Sequence, residues 1–249
     1  MTVFLPPNCP DCGRAPGQQH QDWCPDHGPV EGPKRAMPDK PILFSAAMIR
    51  ALLDGRKTQT RRAITKAAAI DALSVFGPDF LTLPGNRDLL PINVVPGDRL
   101  WVREAWRTAD AYDDLKPSEL GGEEPISFEA DGSAQTFGWP SPRAWGRYRH
   151  GRYMPRWASR LTLTVTDVRV QRVQEISEAD AVAEGVESDS DGWRDYQMPN
   201  TQCCGTALES FRTLWDSLNA PRGYGWDANP FVAAYTFTVA RQNIDQVTK

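Results

Sequence analysis

The most regular pattern in the chain is an alternation of apolar and polar residues from Leu161 to Val173, in the stretch "LTLTVTDVRVQRV". A period of two places successive side chains on opposite faces of a β-strand. A further strand is predicted in "PFVAAYTFTVA", residues 230–240, and "INVVPGDRLWVREAW", residues 92–106, is typical of a strand, a Pro-Gly turn and a second strand. These patterns predict a β-sheet at the centre of the fold.

Helical periodicity predicts three helices between these strands. The first follows Ser45 in "SAAMIRALLDG", where Ser45 is a candidate N-cap and Gly55 ends the helix. The second, "SEADAVAEGV", has Ser177 as its cap and Gly185 as its stop, and the third is the amphipathic "LESFRTLWDSLN". Short strands outnumber the helices and the helices are scattered, so we expect an α+β fold with a small curved sheet or β-barrel decorated by helices.

The chain divides by composition into several regions. Residues 1–30 are rich in Pro, Gly, Cys and His and form a candidate separate module, which residues 31–40 link to the main domain. The main domain is expected over residues 41–240, followed by a tail at 241–249. Two polar, irregular stretches within it, at about 108–147 and 187–206, are predicted to be insertions on the surface.

Composition and charge exclude several classes of protein. The 249 residues carry a formal net charge of −4, so the chain is not a basic nucleic-acid coat, and an anionic ligand would need a local cationic patch. No apolar run approaches the ~20 residues of a membrane span, which predicts no membrane partner. The five cysteines are an odd number, and four of them lie in pairs. This argues against a secreted disulfide framework and favours a cytoplasmic protein. Cys203 and Cys204 lack a second pair and are expected to be inert.

The N-terminal module has the spacing of a zinc site. In "NCPDCGRAPGQQHQDWCPDHG", Cys9 and Cys12 form one pair, and Cys24 and His27 form a second pair eleven residues later. Such a set can close a tetrahedron around Zn²⁺ and leave no open position, as structural sites do. We therefore predict a structural zinc knuckle whose metal supplies the folding energy of the module, with His20 as the weaker alternative ligand and no organic cofactor.

The stretch "LLDGRKTQTRRAI", residues 52–64, places Lys57 and Thr60 among several arginines. In a turn the two side chains converge, and beside a carboxylate they form a candidate nucleophilic site in which the hydroxyl attacks a carbonyl and the amine accepts its proton. A free lysine, with a pKa of ~10.4, is a poor base at neutral pH. Arg56, Arg61 and Arg62 would lower that pKa. Alternatively, these cations bind phosphate or form a solvated face.

Two further stretches combine tryptophan with arginine. On a strand through "LWVREAW", Trp101 and Arg103 share one face, which is an arrangement that stacks on bases in nucleic-acid sites. The alternative is a barrel wall with the cation extended to solvent. Arg156 and Trp157, in "MPRWASR", would add a cation and a ring to the same surface.

Four stretches together resemble the ASCH domain, a PUA-like β-barrel, in the elaborated form carried by phages and prophages. They are "PILFSAAMIRALLDGRKTQTRR", "PGDRLWVREAW", "MPRWASRLTLTVTDVRVQRVQEISEADAVAEGV" and "LWDSLN…GYGWDANPFVAAYTFTV". The resemblance covers most of residues 41–240 and excludes the cysteine module and both insertions. It implies a ligand of the class that PUA-like domains bind, namely RNA or a modified base, with DNA as a further possibility.

One branch of this superfamily, the N4-acetylcytidine amidohydrolases, has its catalytic lysine and threonine in the same G-R-K-T-x-T motif. The matching residues are Lys57 and Thr60, and the catalytic glutamate of that branch matches Glu184, in the helix after the long strand. The resemblance thus implies removal of an acyl group from a modified pyrimidine. The alternatives are a non-enzymatic reader of RNA or DNA and a nuclease that uses the same basic pocket. The identity of the base and the oligomeric state stay open.

Overall fold

The computed structural model describes residues 39–83, 85–198 and 203–247. The chain divides into two units between residues 38 and 39, and the second unit holds all of the described residues. The four predicted zinc ligands Cys9, Cys12, Cys24 and His27 lie outside the described residues, as does His20. None of the helices in the described ranges has the length and apolar character needed to cross a membrane.

The fold is of the mixed α+β type. Its α-helices in the described residues are α1 (Ala46–Leu53), α2 (Ala67–Phe76), α3 (Glu178–Ala183) and α4 (Ala207–Asn219). Its strands there are β1 (Lys40–Leu43), β2 (Gln59–Ala63), β3 (Arg99–Arg103), β4 (Trp106–Thr108), β5 (Ile126–Phe128), β6 (Ala134–Gln135), β7 (Thr162–Arg172), β8 (Ser188–Asp189), β9 (Gly192–Arg194), β10 (Cys203–Cys204) and β11 (Phe231–Ala240).

A five-stranded sheet with the order β1-β3-β7-β11-β2 forms the centre of the molecule. The two long strands β7 and β11 pair antiparallel along their whole length, and β1 pairs with β3 in parallel. The register of β11 against β7 shifts between Thr236 and Phe237, where Asp167 and Val165 are the partners. This bulge leaves Thr166 without a partner and explains why the apolar alternation of the sequence changes phase between Val165 and Val168.

The prediction of a closed barrel is not met in the described residues. The edge strands β1 and β2 stand at opposite ends of the sheet order and are not hydrogen-bonded to each other. Helix α1 connects them along the chain, and closure would require a ladder between strands of only four and five residues. The sheet is therefore open, and its edge at β2 is accessible to side chains from other elements.

Successive side chains of β11 point to opposite faces of the central sheet. Apolar residues lie on both faces, and both faces are covered. Ala233, Tyr235 and Phe237 lie in a buried cluster with residues of α1 and α2, whereas Val232 lies in a second cluster with residues of α3 and α4. Helix α4 begins with a capping box, in which Thr206 accepts a hydrogen bond from the main-chain N–H of Glu209 and the Glu209 carboxylate binds the main chain in return. The two pairs of helices thus cover opposite faces of the sheet.

The two polar stretches contain more structure than their sequence predicts. Strands β4, β5 and β6 form a small antiparallel sheet over a buried cluster that includes Trp106, Phe128 and Met154, and β8, β9 and β10 form another. Strands of two or three residues are too short to show a period in the sequence. Conversely, residues 92–95 form no strand, because the Tyr235 hydroxyl binds both the main-chain N–H and the carbonyl oxygen of Ile92 at 3.0 Å.

Candidate functional site

The end of α1 fixes the main chain around Lys57. Gly55 has a φ of +75°, and after it the N–H groups of Arg56 and Lys57 both donate to the carbonyl oxygen of Ala51, at 2.9 and 3.1 Å. This curl turns Lys57 inward, so its side chain is completely buried. The N–H of Thr58 then donates to the carbonyl oxygen of Ala183 at 2.8 Å, which ties the segment to the end of α3.

Gly185 brings the end of α3 into direct contact with Lys57. Its φ is +83°, and a Cβ atom there would lie 2.8 Å from the Cβ of Lys57 and 2.9 Å from the Cβ of Ala51. Only glycine fits both the left-handed conformation and the close approach. Helix α3 ends at Ala183 with Glu184 as its C-cap, so the stop signal at Gly185 also positions the carboxylate.

Glu184 is a buried carboxylate shared by two cations. Its Oε2 accepts a hydrogen bond of 2.8 Å from the Nζ of Lys57, and its Oε1 accepts one of 3.1 Å from Arg61. The Nζ of Lys57 also donates to the main-chain oxygen of Glu184 at 2.8 Å. Since a buried charge requires a partner, this geometry gives the carboxylate and both cations an opposite charge, although the Nε of Arg61 is buried without a hydrogen-bond partner.

A second carboxylate, which the sequence analysis missed, extends the cluster. Asp180 accepts hydrogen bonds from Arg61 at 2.7 Å and from Gln59 at 2.9 Å, and it lies 3.3 Å from Arg169. It precedes Glu184 by four residues and so lies on the same face of α3. The sequence did contain a signal for Asp180, because this acid lies one helical turn before Glu184, the residue that matches the catalytic glutamate.

The environment shifts the pKa of two members of the cluster. Burial lowers the pKa of Lys57; Glu184 opposes this shift, while the nearby charges of Arg62 and Arg61 add to it. For Asp180, burial alone would raise the pKa, but the Gln59 hydrogen bond and the two guanidinium groups outweigh it and the pKa is lowered. Both directions follow from burial competing with nearby charge.

A cavity of about 380 Å³ adjoins this cluster. One wall comes from β2 and α3, with Thr60, Arg62 and Glu184 among its residues, and the other comes from α4 and the loop after it, with Phe211, Trp215, Asn219, Arg222 and Tyr224. Thr60 is only 2% exposed, and its hydroxyl makes no hydrogen bond to any described residue. This wall therefore offers a hydroxyl donor and acceptor to a ligand in the cavity.

Lys57 and Arg56 do not line the cavity. Lys57 lies behind Glu184, with its Nζ 5.6 Å from the centre of the Phe44 ring. Arg56 points elsewhere: its guanidinium pairs with Asp54 at 2.8 Å and donates to the carbonyl oxygen of Gly185 at 3.1 Å. Of the three arginines predicted to surround Lys57, the structure thus brings Arg61 and Arg62 to the site and directs Arg56 away from it.

The predicted tryptophan–arginine surface is also separate from the cavity. Trp101 is buried, and the Arg103 guanidinium covers its ring at 4.5 Å. This matches the alternative interpretation, in which the pair belongs to the wall of the sheet. Neither ring nor cation of this pair lines the cavity.

Arg156 and Trp157 have other contacts as well. Arg156 pairs with Asp39 and Asp245, both at 2.6 Å, and Trp157 lies edge-on to Phe137 at 5.8 Å between ring centres. The carboxylates neutralise the cation that was predicted to bind a ligand. These contacts join the two ends of the described chain and do not contribute to the cavity.

The described residues contain no cluster of three or more His, Cys, Asp or Glu side chains that could hold a metal ion. Cys204 is buried. The candidate site consists of lysine, arginine, carboxylate and hydroxyl side chains.

Comparison with known proteins adds little to this geometry. No family model matches the chain, and no curated protein matches it. Among solved structures, it is similar to protein EF3133 from Enterococcus faecalis V583, described under DUF984, with a TM-score of 0.35 and 12% sequence identity over 86% of each chain. A likeness of this size carries no argument about fold or function.

Proposed function

We propose that this chain is a PUA-like protein of the ASCH type whose cavity binds a modified pyrimidine nucleoside and removes its acyl group, as N4-acetylcytidine amidohydrolases do. The G-R-K-T-x-T motif and the four resembling stretches support the fold and the ligand class. One observation carries the activity: Glu184, the buried partner of Lys57, lines the cavity together with Thr60, whose hydroxyl makes no hydrogen bond to a described residue. These are the three residues that the resemblance singles out.

In the proposed reaction the Thr60 oxygen attacks the acyl carbonyl carbon, and its proton passes to the neutral amine of Lys57. The bond from that carbon to N4 breaks, and the cytidine amine leaves with the proton from Lys57. Water then hydrolyses the threonine ester and releases acetate. Glu184 holds the lysine in place, and burial lowers the pKa of Lys57 in the direction that a base requires.

The size and lining of the cavity support a nucleoside ligand. Its volume of about 380 Å³ lies within the range of about 300–1,000 Å³ that is usual for small-molecule sites. Phe211, Trp215 and Tyr224 provide aromatic rings in the wall opposite Thr60. Bases stack on such rings in nucleic-acid and nucleoside sites.

The experiment is an acetate-release assay of the full chain with N4-acetylcytidine. Wild type should release acetate, and Thr60→Val, which keeps the shape but removes the hydroxyl, should release none. Thr65→Val is the matched control, because Thr65 also lines the cavity but is exposed and lies outside the cluster. Failure of the wild type to act on any N4-acylated pyrimidine would contradict the proposal.

The second candidate is a non-enzymatic reader of RNA or DNA. It is favoured by the position of Lys57, which is buried behind the cavity wall while Arg62 lines that wall. A reader should bind an oligonucleotide with an affinity that falls with salt, because neutralised phosphates release counterions, and labelled RNA should stay intact. Cleavage of that RNA would instead indicate the nuclease alternative.

A further inference from the structure

Two cations line the cavity without an acidic partner. The Arg62 guanidinium donates to the main-chain oxygen of Leu43 at 2.8 Å and lies 5.3 Å from the centre of the Phe44 ring, and it forms no ion pair with a described residue. Arg222, at the end of the short 3-10 helix Ala220–Arg222, is exposed and forms none either. Arg61, one position before Arg62, has two carboxylate partners.

The two guanidinium groups are close enough to affect each other. Burial lowers the pKa of Arg62, and the charge of Arg222 lowers it further, although Glu184 acts in the opposite direction. Glu184 makes no hydrogen bond or ion pair with either arginine, and its carboxylate is bound to Lys57 and Arg61. The cavity therefore has a cationic side that the protein leaves without a counterion.

We propose that Arg62 and Arg222 form a phosphate subsite, so that the cavity binds a pyrimidine nucleotide or a nucleic-acid strand more tightly than the free nucleoside. This inference rests on the proposed function, since it assumes a pyrimidine in the same cavity. Arginine suits the role because its planar guanidinium binds two phosphate oxygens at once. A phosphate there would relieve the repulsion between the two cations, while Thr60 and the aromatic rings face the nucleoside.

The subsite is tested by binding measurements with ligands that differ only in phosphate. Isothermal titration of the full chain compares cytidine, cytidine 5′-monophosphate and a short oligocytidine without a terminal phosphate. We expect the monophosphate, the oligomer or both to bind roughly tenfold or more tightly than cytidine, as charge-assisted hydrogen bonds imply. Tighter binding by the monophosphate alone would identify a nucleotide, and tighter binding by the oligomer would identify an internal phosphodiester.

The variant Arg222→Ala should remove most of the advantage that the phosphate-bearing ligands have over cytidine. Arg222 is exposed, so the variant should fold, whereas Arg62→Ala also loses a contact with Phe44. Arg212→Ala is the matched control, because Arg212 lies on α4, pairs with Asp227 and does not line the cavity; it should keep the advantage.

Equal binding of all three ligands by wild type would overturn the subsite and leave the proposed function standing. An advantage that survives in Arg222→Ala would overturn it as well. If none of the three ligands binds, the subsite is overturned, and the acetate-release assay decides the proposed function separately.

Discussion

The Nζ of Lys57 donates hydrogen bonds of 2.8 Å to both the Oε2 and the main-chain oxygen of Glu184, although 127 residues separate the two. This contact joins the end of α1 to the end of α3 at the edge of the central sheet. Arg61 completes it from β2, so three elements meet at one buried carboxylate. The same group therefore serves the folding of the molecule and the chemistry proposed for it.

Removal of Glu184 should destabilise the protein strongly. Glu184→Ala leaves Lys57 buried without a carboxylate partner, and breaking a buried pair in this way costs about 3–5 kcal/mol. Urea denaturation should show that loss, with a smaller one for Glu184→Gln, which keeps the shape and one acceptor. Asp54→Ala is the control, since it breaks an exposed pair with Arg56 and should cost about 1 kcal/mol or less. Equal losses in both variants would contradict the interpretation.

The rate of acetate release should rise with pH. Only the neutral amine of Lys57 accepts a proton, and burial lowers its pKa below the ordinary 10.5, so the apparent pKa of the rate profile should lie below that value. Lys57→Arg should be inactive at every pH, because the guanidinium keeps its charge. A flat profile, or an active Lys57→Arg enzyme, would show that Lys57 is not the base.

Gly185 should be intolerant of a side chain because of Lys57. Gly185→Ala would combine the strain of a positive φ, about 1–2 kcal/mol, with contacts of 2.8 and 2.9 Å to Lys57 and Ala51. Gly55→Ala is a matched control: its φ is also positive, at +75°, but nothing lies within 4 Å of the added Cβ. Thermal denaturation should therefore show a larger loss for Gly185→Ala, and similar losses in both variants would mean that the contact is unimportant.

Local signals predicted the elements that carry a clear period. The alternation in β7 and β11 and the caps at Ser45 and Ser177 lie where the structure has strands and helices, with Ser177 accepting a hydrogen bond from the N–H of Asp180. Helix α2 was missed. The short strands of the insertions were missed as well, because strands of two or three residues show no period in the sequence.

The candidate site was predictable only in part, because its halves are distant in sequence. Lys57 and Thr60 are recognisable from their local motif, and Glu184 came only through the resemblance. The opposite wall, with Phe211, Trp215 and Arg222, depends on how α4 packs against β2, which no local spacing encodes. The direction of Arg56 is likewise decided by a carboxylate beside it, Asp54, and not by its place in the motif.

The zinc knuckle stays a prediction from the sequence. Protein purified without chelators should contain about one equivalent of zinc per chain, because Cys9, Cys12, Cys24 and His27 supply a complete tetrahedral set. Elemental analysis measures this directly, and Cys12→Ser should lose the metal while Cys203→Ser keeps it. Wild-type protein without zinc would contradict the prediction.

Asp180 should make the stability of the protein sensitive to acid. Its pKa is lowered from the ordinary 3.8, because the hydrogen bond from Gln59 and the charges of Arg61 and Arg169 outweigh the effect of burial. A carboxylate whose pKa is lower in the folded state stabilises the fold above its unfolded pKa, and this contribution is lost as the pH falls through the folded pKa.

At neutral pH, Asp180→Asn should therefore be less stable than wild type by about 1.5–3 kcal/mol, the usual contribution of a hydrogen bond to a charged group. The difference should shrink as the pH falls below 3.8, because wild type then loses the same charge. Urea denaturation at a series of pH values measures it. Asp167→Asn is the control, since Asp167 pairs with the same Arg169 in an exposed position and should change stability little. A difference that stays constant with pH would show that packing, and not the charge of Asp180, supports the cluster.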